Sequence, residues 1–296
     1  MRGIKNMLKY FFRHLLSFVL IFKDYINFWR NKNKIVDYNS DLYVNKKALV
    51  FGNGPSLYNF IDENKFNLDD DDIFVCNGFA KSEYYEILKP SNYVLADPLY
   101  FDFNDQRVKD KIVDVIETWE NIILKTTWKI NLHTTVTDQT SLEFIREKIL
   151  ENDKINWINN WPGRFFSNNK FKLYSMGLGM LAGITVTHVS TQIAILRRYK
   201  EIYLCGIDLD WLENIKYDTE KHNIYLLNKH FYGEKRIYYG EEGVFKNIDL
   251  AKELLALHET IQGFKDLLSF AGFLNIKLVR GTKSFAHFIP FEEYRK

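Results

Sequence analysis

One stretch constrains this chain more than any other: Lys46-Lys47-Ala48-Leu49-Val50-Phe51-Gly52-Asn53-Gly54-Pro55-Ser56-Leu57. The apolar run Ala48 to Phe51 reads as a buried strand, and Gly52 to Ser56 breaks it with residues that tolerate unusual backbone angles. Ser56 is placed to cap a short helix through Leu57-Tyr58-Asn59-Phe60-Ile61. The two glycines let a ligand approach main-chain N–H groups where the helix dipole favours an anion. The spacing is neither a Walker loop nor the dinucleotide fingerprint. It suits a phosphate-bearing ligand, and it also suits an ordinary strand-to-helix turn.

The same grammar recurs downstream. Ile73-Phe74-Val75-Cys76 reads as a strand ending in Asn77-Gly78-Phe79, and Tyr93-Val94-Leu95-Ala96 as another ending in Asp97-Pro98-Leu99-Tyr100, so polar residues sit at strand ends, where open α/β folds place their sites. Further on, Thr185-Val186-Thr187 opens an apolar helix ending at Arg197-Arg198. Then Glu201 to Cys205 reads as a strand terminating in Gly206-Ile207-Asp208, with Asp210 just beyond. Either aspartate can hold a sugar hydroxyl, steady an imidazolium or act as a nucleophile; either can also cap the next element of the chain. Asp69 to Asp72 reads as a solvated loop before a strand, because consecutive carboxylates do not converge on one metal.

Length and apolar content allow one large α/β domain or a domain with an inserted subdomain: 296 residues, 46% hydrophobic. A net charge of +2 is too balanced for a protein whose main partner is nucleic acid. The two cysteines, Cys76 and Cys205, lie in or beside apolar runs, which fits reduced, buried thiols in a cytoplasmic protein.

The first 40 residues differ in kind. Arg2 to Lys34 carries eight basic residues against one acid, Asp24. The apolar run Leu15 to Phe22 falls well short of the roughly 20 residues that cross a bilayer. An amphipathic helix on an anionic membrane surface fits better, and the alternative is a helix packed on the protein itself. In the middle of the chain, residues 102–160 read as a helix over Val108 to Trp119, short strands at Ile122-Ile123-Leu124 and Trp128-Lys129-Ile130, and a helix over Ser141 to Leu150. Residues 152–174, without clear periodicity, read as a loop or lid. Near the end, Ile248 to Ala271 reads as a helix and Ile276 to Val279 as a final strand.

Four of these blocks, in order, resemble the bacterial sialyltransferases of glycosyltransferase family 42. Gly52-Asn53-Gly54-Pro55-Ser56-Leu57 is similar to that family's A-G-N-G-P-S-L, and Cys76-Asn77-Gly78-Phe79 to its C-N-Q-F. Ala96-Asp97-Pro98-Leu99 is similar to its N-P-S, and Tyr199 to Asp208 to its Y-K-E-I-Y-L-S-G-I-D. The resemblance implies a single Rossmann-like, mostly parallel α/β sheet with helices on both faces over 41–296 and a lid, placed over about 210–245, with the basic helix read above for 1–40 ahead of it. It also implies a CMP-activated sugar as donor, a glycan acceptor and no metal. Carried over by position, the nucleotide site would comprise Gly52, Asn53, Gly54, Pro55, Ser56, Asn77, Asp97, Thr185, Thr187, Gly206 and Ile207. The chain departs from the family pattern at Asp97 (an asparagine there), at Val186-Thr187 (a Ser-Gly) and at Asp210 (a tyrosine). Tyr239-Gly240-Glu241-Glu242-Gly243, shortly before Lys246-Asn247-Ile248-Asp249-Leu250, where the family has its base, contains no histidine. The expected catalytic set is therefore His230 as base, with Asp208, Asp210 and Tyr232. The reading extends to a peripheral enzyme on the inner face of the cytoplasmic membrane, and a homo-oligomer is allowed. Two rivals stand beside it: a magnesium-dependent pyrophosphokinase similar to those of the methanopterin pathway, and an inactive scaffold of the same fold.

Overall fold

The computed structural model describes residues 2–38, 42–63, 71–101, 112–135, 147, 149, 151–181, 185–230, 233–240, 250–283 and 289–293. Side chains are described throughout these ranges except at 2–14, 112, 228, 230, 233 and 235. A long helix, α1 (Arg2–Asn31), leads into β1 (Lys47–Phe51), α2 (Ser56–Glu63), β2 (Asp71–Cys76), α3 (Tyr84–Leu88) and β3 (Asn92–Leu95). Then come α4 (Ile112–Lys125), β4 (Ile130–Thr134), β5 (Ile155–Asn159), α5 (Lys170–Ser175), α6 (Val186–Leu196) and β6 (Glu201–Cys205). The chain continues through α7 (Trp211–Asn214), β7 (Ile215–Asp218), β8 (Asn223–His230), β9 (Gly233–Tyr238), α8 (Leu250–Phe273), β10 (Lys277–Arg280) and β11 (Glu292–Glu293).

Eight strands form one sheet in the order β11-β10-β6-β1-β2-β3-β4-β5, and every pairing in it is parallel. Parallel sheets need cover on both faces, and alternate residues of each strand supply two cores. Ala48, Val50, Phe74, Cys76 and Val94 pack under α6 and α8 with Val189, Ile193, Ala194, Phe264 and Phe270. Leu49, Phe51, Ile73, Val75, Tyr93 and Leu95 pack on the other face with Leu57 and Phe60 of α2 and Val115, Trp119 and Ile122 of α4. Each buried Val, Leu, Ile or Phe among them contributes about 1.5–3 kcal/mol by leaving water.

The order places β1 at the centre. The chain winds outward through β2 to β5, returns to β6 on β1's other side, and winds outward again. The reversal between β1 and β6 is the switch point at which open α/β sheets bind ligands beyond the strands' carboxyl ends. α6 is wholly buried from Thr187 to Leu196. It leads directly into β6 and is antiparallel to it, so its N-terminus lies at that same carboxyl edge.

Several segments differ from expectation. Ile122-Ile123-Leu124 belongs to α4 rather than a strand, because Val115, Trp119 and Ile122 continue one helical face into the core while Val113, Ile116 and Leu124 face out. Residues 152–174 hold the edge strand β5 and the helix α5 rather than a structureless lid. β5 is buried at only one residue, so its polar Asn and Trp positions hid its alternation. The segment expected as a lid, 210–245, is itself folded where described, as α7 and a three-stranded antiparallel meander, β7-β8-β9. Of the four aspartates, Asp71 and Asp72 open β2, with Asp72 3.6 Å from Lys46; the other two lie outside the described residues, as does most of the expected helix 141–150. Both cysteines are buried and free.

Candidate active site

The turn after β1 is held from below by the turn after β6. Gly52 donates its N–H to Cys205 O at 2.8 Å and Gly54 donates to Gly206 O at 2.9 Å. The two turns touch so closely that a Cβ on Gly52 would lie 2.5 Å from Gly206 O, and one on Gly206 2.7 Å from both Gly52 O and the Leu57 Cβ. Gly206 also has φ +66°, a conformation that L side chains rarely adopt. A Cβ on Gly54 would strike the Asp208 carboxylate. The glycines thus serve backbone against backbone, a role their spacing alone did not show.

Asp208 completes the lock. Its Oδ2 accepts the Ser56 N–H at 2.9 Å and its Oδ1 accepts the Ser56 hydroxyl. Burial pushes its carboxyl above the usual range, with Asp210 adding in the same direction and the Ser56 bonds opposing. The first turn of α2, expected to offer its amides to an anion, gives the Ser56 amide to this internal carboxylate. Asp210 sits at the start of α7, where its carboxylate accepts the Asn214 side-chain amide at 2.7 Å.

Asn53 and Asn77 are the polar groups left over. Asn53 donates Nδ2 to Cys76 O at 3.2 Å, which brings the two asparagine segments together. Asn77 holds a left-handed backbone, φ +48°, and its carbonyl accepts the Tyr93 hydroxyl. The Oδ1 atoms of both asparagines are buried and have no hydrogen-bond partner among the described residues. Unpaired buried acceptors cost about 1–3 kcal/mol each, so both suit a ligand's donors. Asp97 caps a short 3-10 turn, accepting Leu99 N–H at 3.0 Å.

At the opening of α6, Thr185 Oγ1 lies 2.7 Å from Thr187 Oγ1. His188 accepts the Thr185 N–H at Nδ1, 3.2 Å, and donates Nε2–H to Thr260 O of α8 at 2.9 Å. The imidazole takes the part that Glu or Gln plays in a capping box. Burial lowers its pKa to about 4, with the two backbone bonds opposing. This role is legible in retrospect from Thr185-x-x-His188 at a helix start. Ile207 lies beside Gly52, its side chain 3.0 Å from where a Gly52 Cβ would be.

The expected base lies on the meander. His230 ends β8 and pairs with Gly233 across the hairpin tip of the meander. Its side chain and Tyr232 lie outside the described residues. Among the described residues, no group of three or more His, Cys, Asp or Glu could hold a metal ion.

An open, wholly parallel sheet with helices on both faces and interlocked glycine turns at its switch point defines a Rossmann-like α/β protein. Residues 46–262 match the family model described as Alpha-2,3-sialyltransferase (CST-I), and the chain belongs to that family. No curated protein sequence matches the chain significantly. Among solved structures, the MAf glycosyltransferase from Magnetospirillum magneticum AMB-1 is 15% identical, with a TM-score of 0.47 over 84% of this chain and 33% of that one. The sialyltransferase CstII from Campylobacter jejuni, solved in complex with a substrate analogue, cytidine-5'-monophosphate, is 18% identical, with a TM-score of 0.40 over 83% of this chain and 84% of that one. The chain therefore spans about a third of the first of these proteins and most of the second.

Proposed function

We propose that the chain transfers sialic acid or a related nonulosonic sugar, such as Kdo, from a CMP donor to a glycan hydroxyl in cell-surface polysaccharide or lipooligosaccharide synthesis, without a metal ion. The observation that carries this reading is the family match over 46–262, which includes both interlocked turns and Asn77. The unpaired oxygens of Asn53 and Asn77 support it, since ribose hydroxyls or the cytosine amino group are donors of the required kind.

In this reading Gly52 to Ser56, Asn77, Asp97, Thr185, Thr187, Gly206 and Ile207 line or support the nucleotide. Asp208 is a positioning residue that fixes Ser56. His230 removes the acceptor's proton as its oxygen attacks the anomeric carbon. The bond from that carbon to the phosphate breaks on the opposite face, and CMP leaves with the electron pair. Tyr232 donates a hydrogen bond to the departing phosphate, where charge develops. The same reading places the protein at the cytoplasmic side of an anionic membrane.

Purified protein incubated with CMP-sialic acid or CMP-Kdo, a glycan acceptor and EDTA tests this directly. Acceptor-dependent CMP release is the expected result. Transfer of pyrophosphate from ATP, seen only with magnesium, would overturn it.

A further inference from the structure

Among the described side chains, helix α1 is locked to the protein along one side. Asp24, 2% exposed, accepts the Phe166 N–H at 3.0 Å and the Ser167 N–H at 2.7 Å through its carboxylate. Asn27 donates to Arg164 O at 3.3 Å, and Phe28 packs against the core under α6. A buried carboxylate bonded to two main-chain amides fixes the rotation of the helix about its axis. The opposite side is therefore held outward by the fold.

On that opposite side, Leu15, Phe18, Phe22, Tyr25 and Trp29 recur at alternating spacings of three and four residues and form one stripe. They are 47–68% exposed. The apolar surface continues from Tyr25 into a cavity of about 290 Å³ between α1 and α5, lined in part by Ile21, Leu173 and Met176. Charge identifies the partner. Asp24, the one acid between Arg2 and Lys34, is consumed by the lock, so the segment's eight basic residues have no acid left within it to balance them. A second copy would bring like charge against like. An anionic lipid surface supplies the counter-charge, and aromatic rings suit its headgroup boundary.

We propose that α1 is a docking surface for an anionic lipid bilayer, lying in its plane with Leu15, Phe18, Phe22, Tyr25 and Trp29 inserted while Asp24 holds the helix to the protein. This deepens the membrane part of the proposed function and rests on it; donor chemistry is independent of it. Thirty residues of helix extend about 45 Å along the surface.

The test is flotation of the full chain with vesicles of phosphatidylcholine alone and of phosphatidylcholine mixed with phosphatidylglycerol, at low and high salt. Binding only to the anionic vesicles, weakened by salt and reduced roughly tenfold or more in F18S/F22S with unfolding temperature unchanged, is the expected result. Undiminished anionic binding by F18S/F22S would overturn this surface and leave a membrane partner standing. Absence of binding to either vesicle would overturn both. A dimer in light scattering that F18S/F22S converts to a monomer, without vesicle binding, would assign the stripe to a second copy instead.

Discussion

The carboxyl edge at β1 and β6 and the meander β7-β8-β9 are built on opposite principles. At the edge, two glycine turns lie against each other with no room for a Cβ, and Asp208 closes the contact on Ser56. The meander rests on strand pairing and on peripheral, half-buried contacts, such as Tyr238 with Asp218 at 2.7 Å and Arg236 over the Tyr225 ring. Leu226 is its buried hydrophobic side chain among the described residues. An interlocked edge changes little without collapse, whereas a peripheral meander tolerates exchange.

The contrast breaks first where it is tightest. G54A and G206A should each destabilise the protein by about 3 kcal/mol or more, from a steric clash and, for Gly206, a strained backbone, measured by chemical unfolding. At the meander, H230A should lower transfer by about 10²–10⁴-fold while leaving the unfolding temperature unchanged. Full activity in H230A would move the base elsewhere.

His188 sharpens the comparison through pH. Its folded pKa is depressed to about 4, so below about 6.5 the unfolded chain binds a proton that the folded chain refuses. Its contribution is complete above that range and is lost as pH falls towards 4, about 3 kcal/mol in all. H188Q, which keeps the capping acceptor, should flatten this part of the stability profile. Smallest is D208N, expected to cost about 1–2 kcal/mol by weakening the hold on Ser56. A larger loss of activity than of stability in D208N would restore Asp208 to the chemistry.

The central fold was legible because its strands are short, apolar and closed by Gly, Asn or Asp: β1, β2, β3, β6 and β10 all fall where Ala48 to Phe51 and its analogues predict. Where alternation is blurred, legibility fails. Asn156, Trp157 and Asn159 conceal an edge strand, and the strands of 215–238 are hidden because their pairing is mutual rather than driven by a core. At the site, the turn residues were visible in sequence. The Ser56–Asp208 lock was not, since it joins residues 152 positions apart. Neither was the capping role of His188, which depends on a carbonyl of α8.

The most direct measurement is the thermal shift of the purified chain with CMP, UDP, GDP and ATP, each with magnesium or EDTA. A ligand selective for the folded state raises the midpoint by mass action. The account predicts stabilisation by CMP that EDTA leaves intact and that N53A/N77A abolishes. Stabilisation by ATP with magnesium alone, with CMP silent, would contradict it.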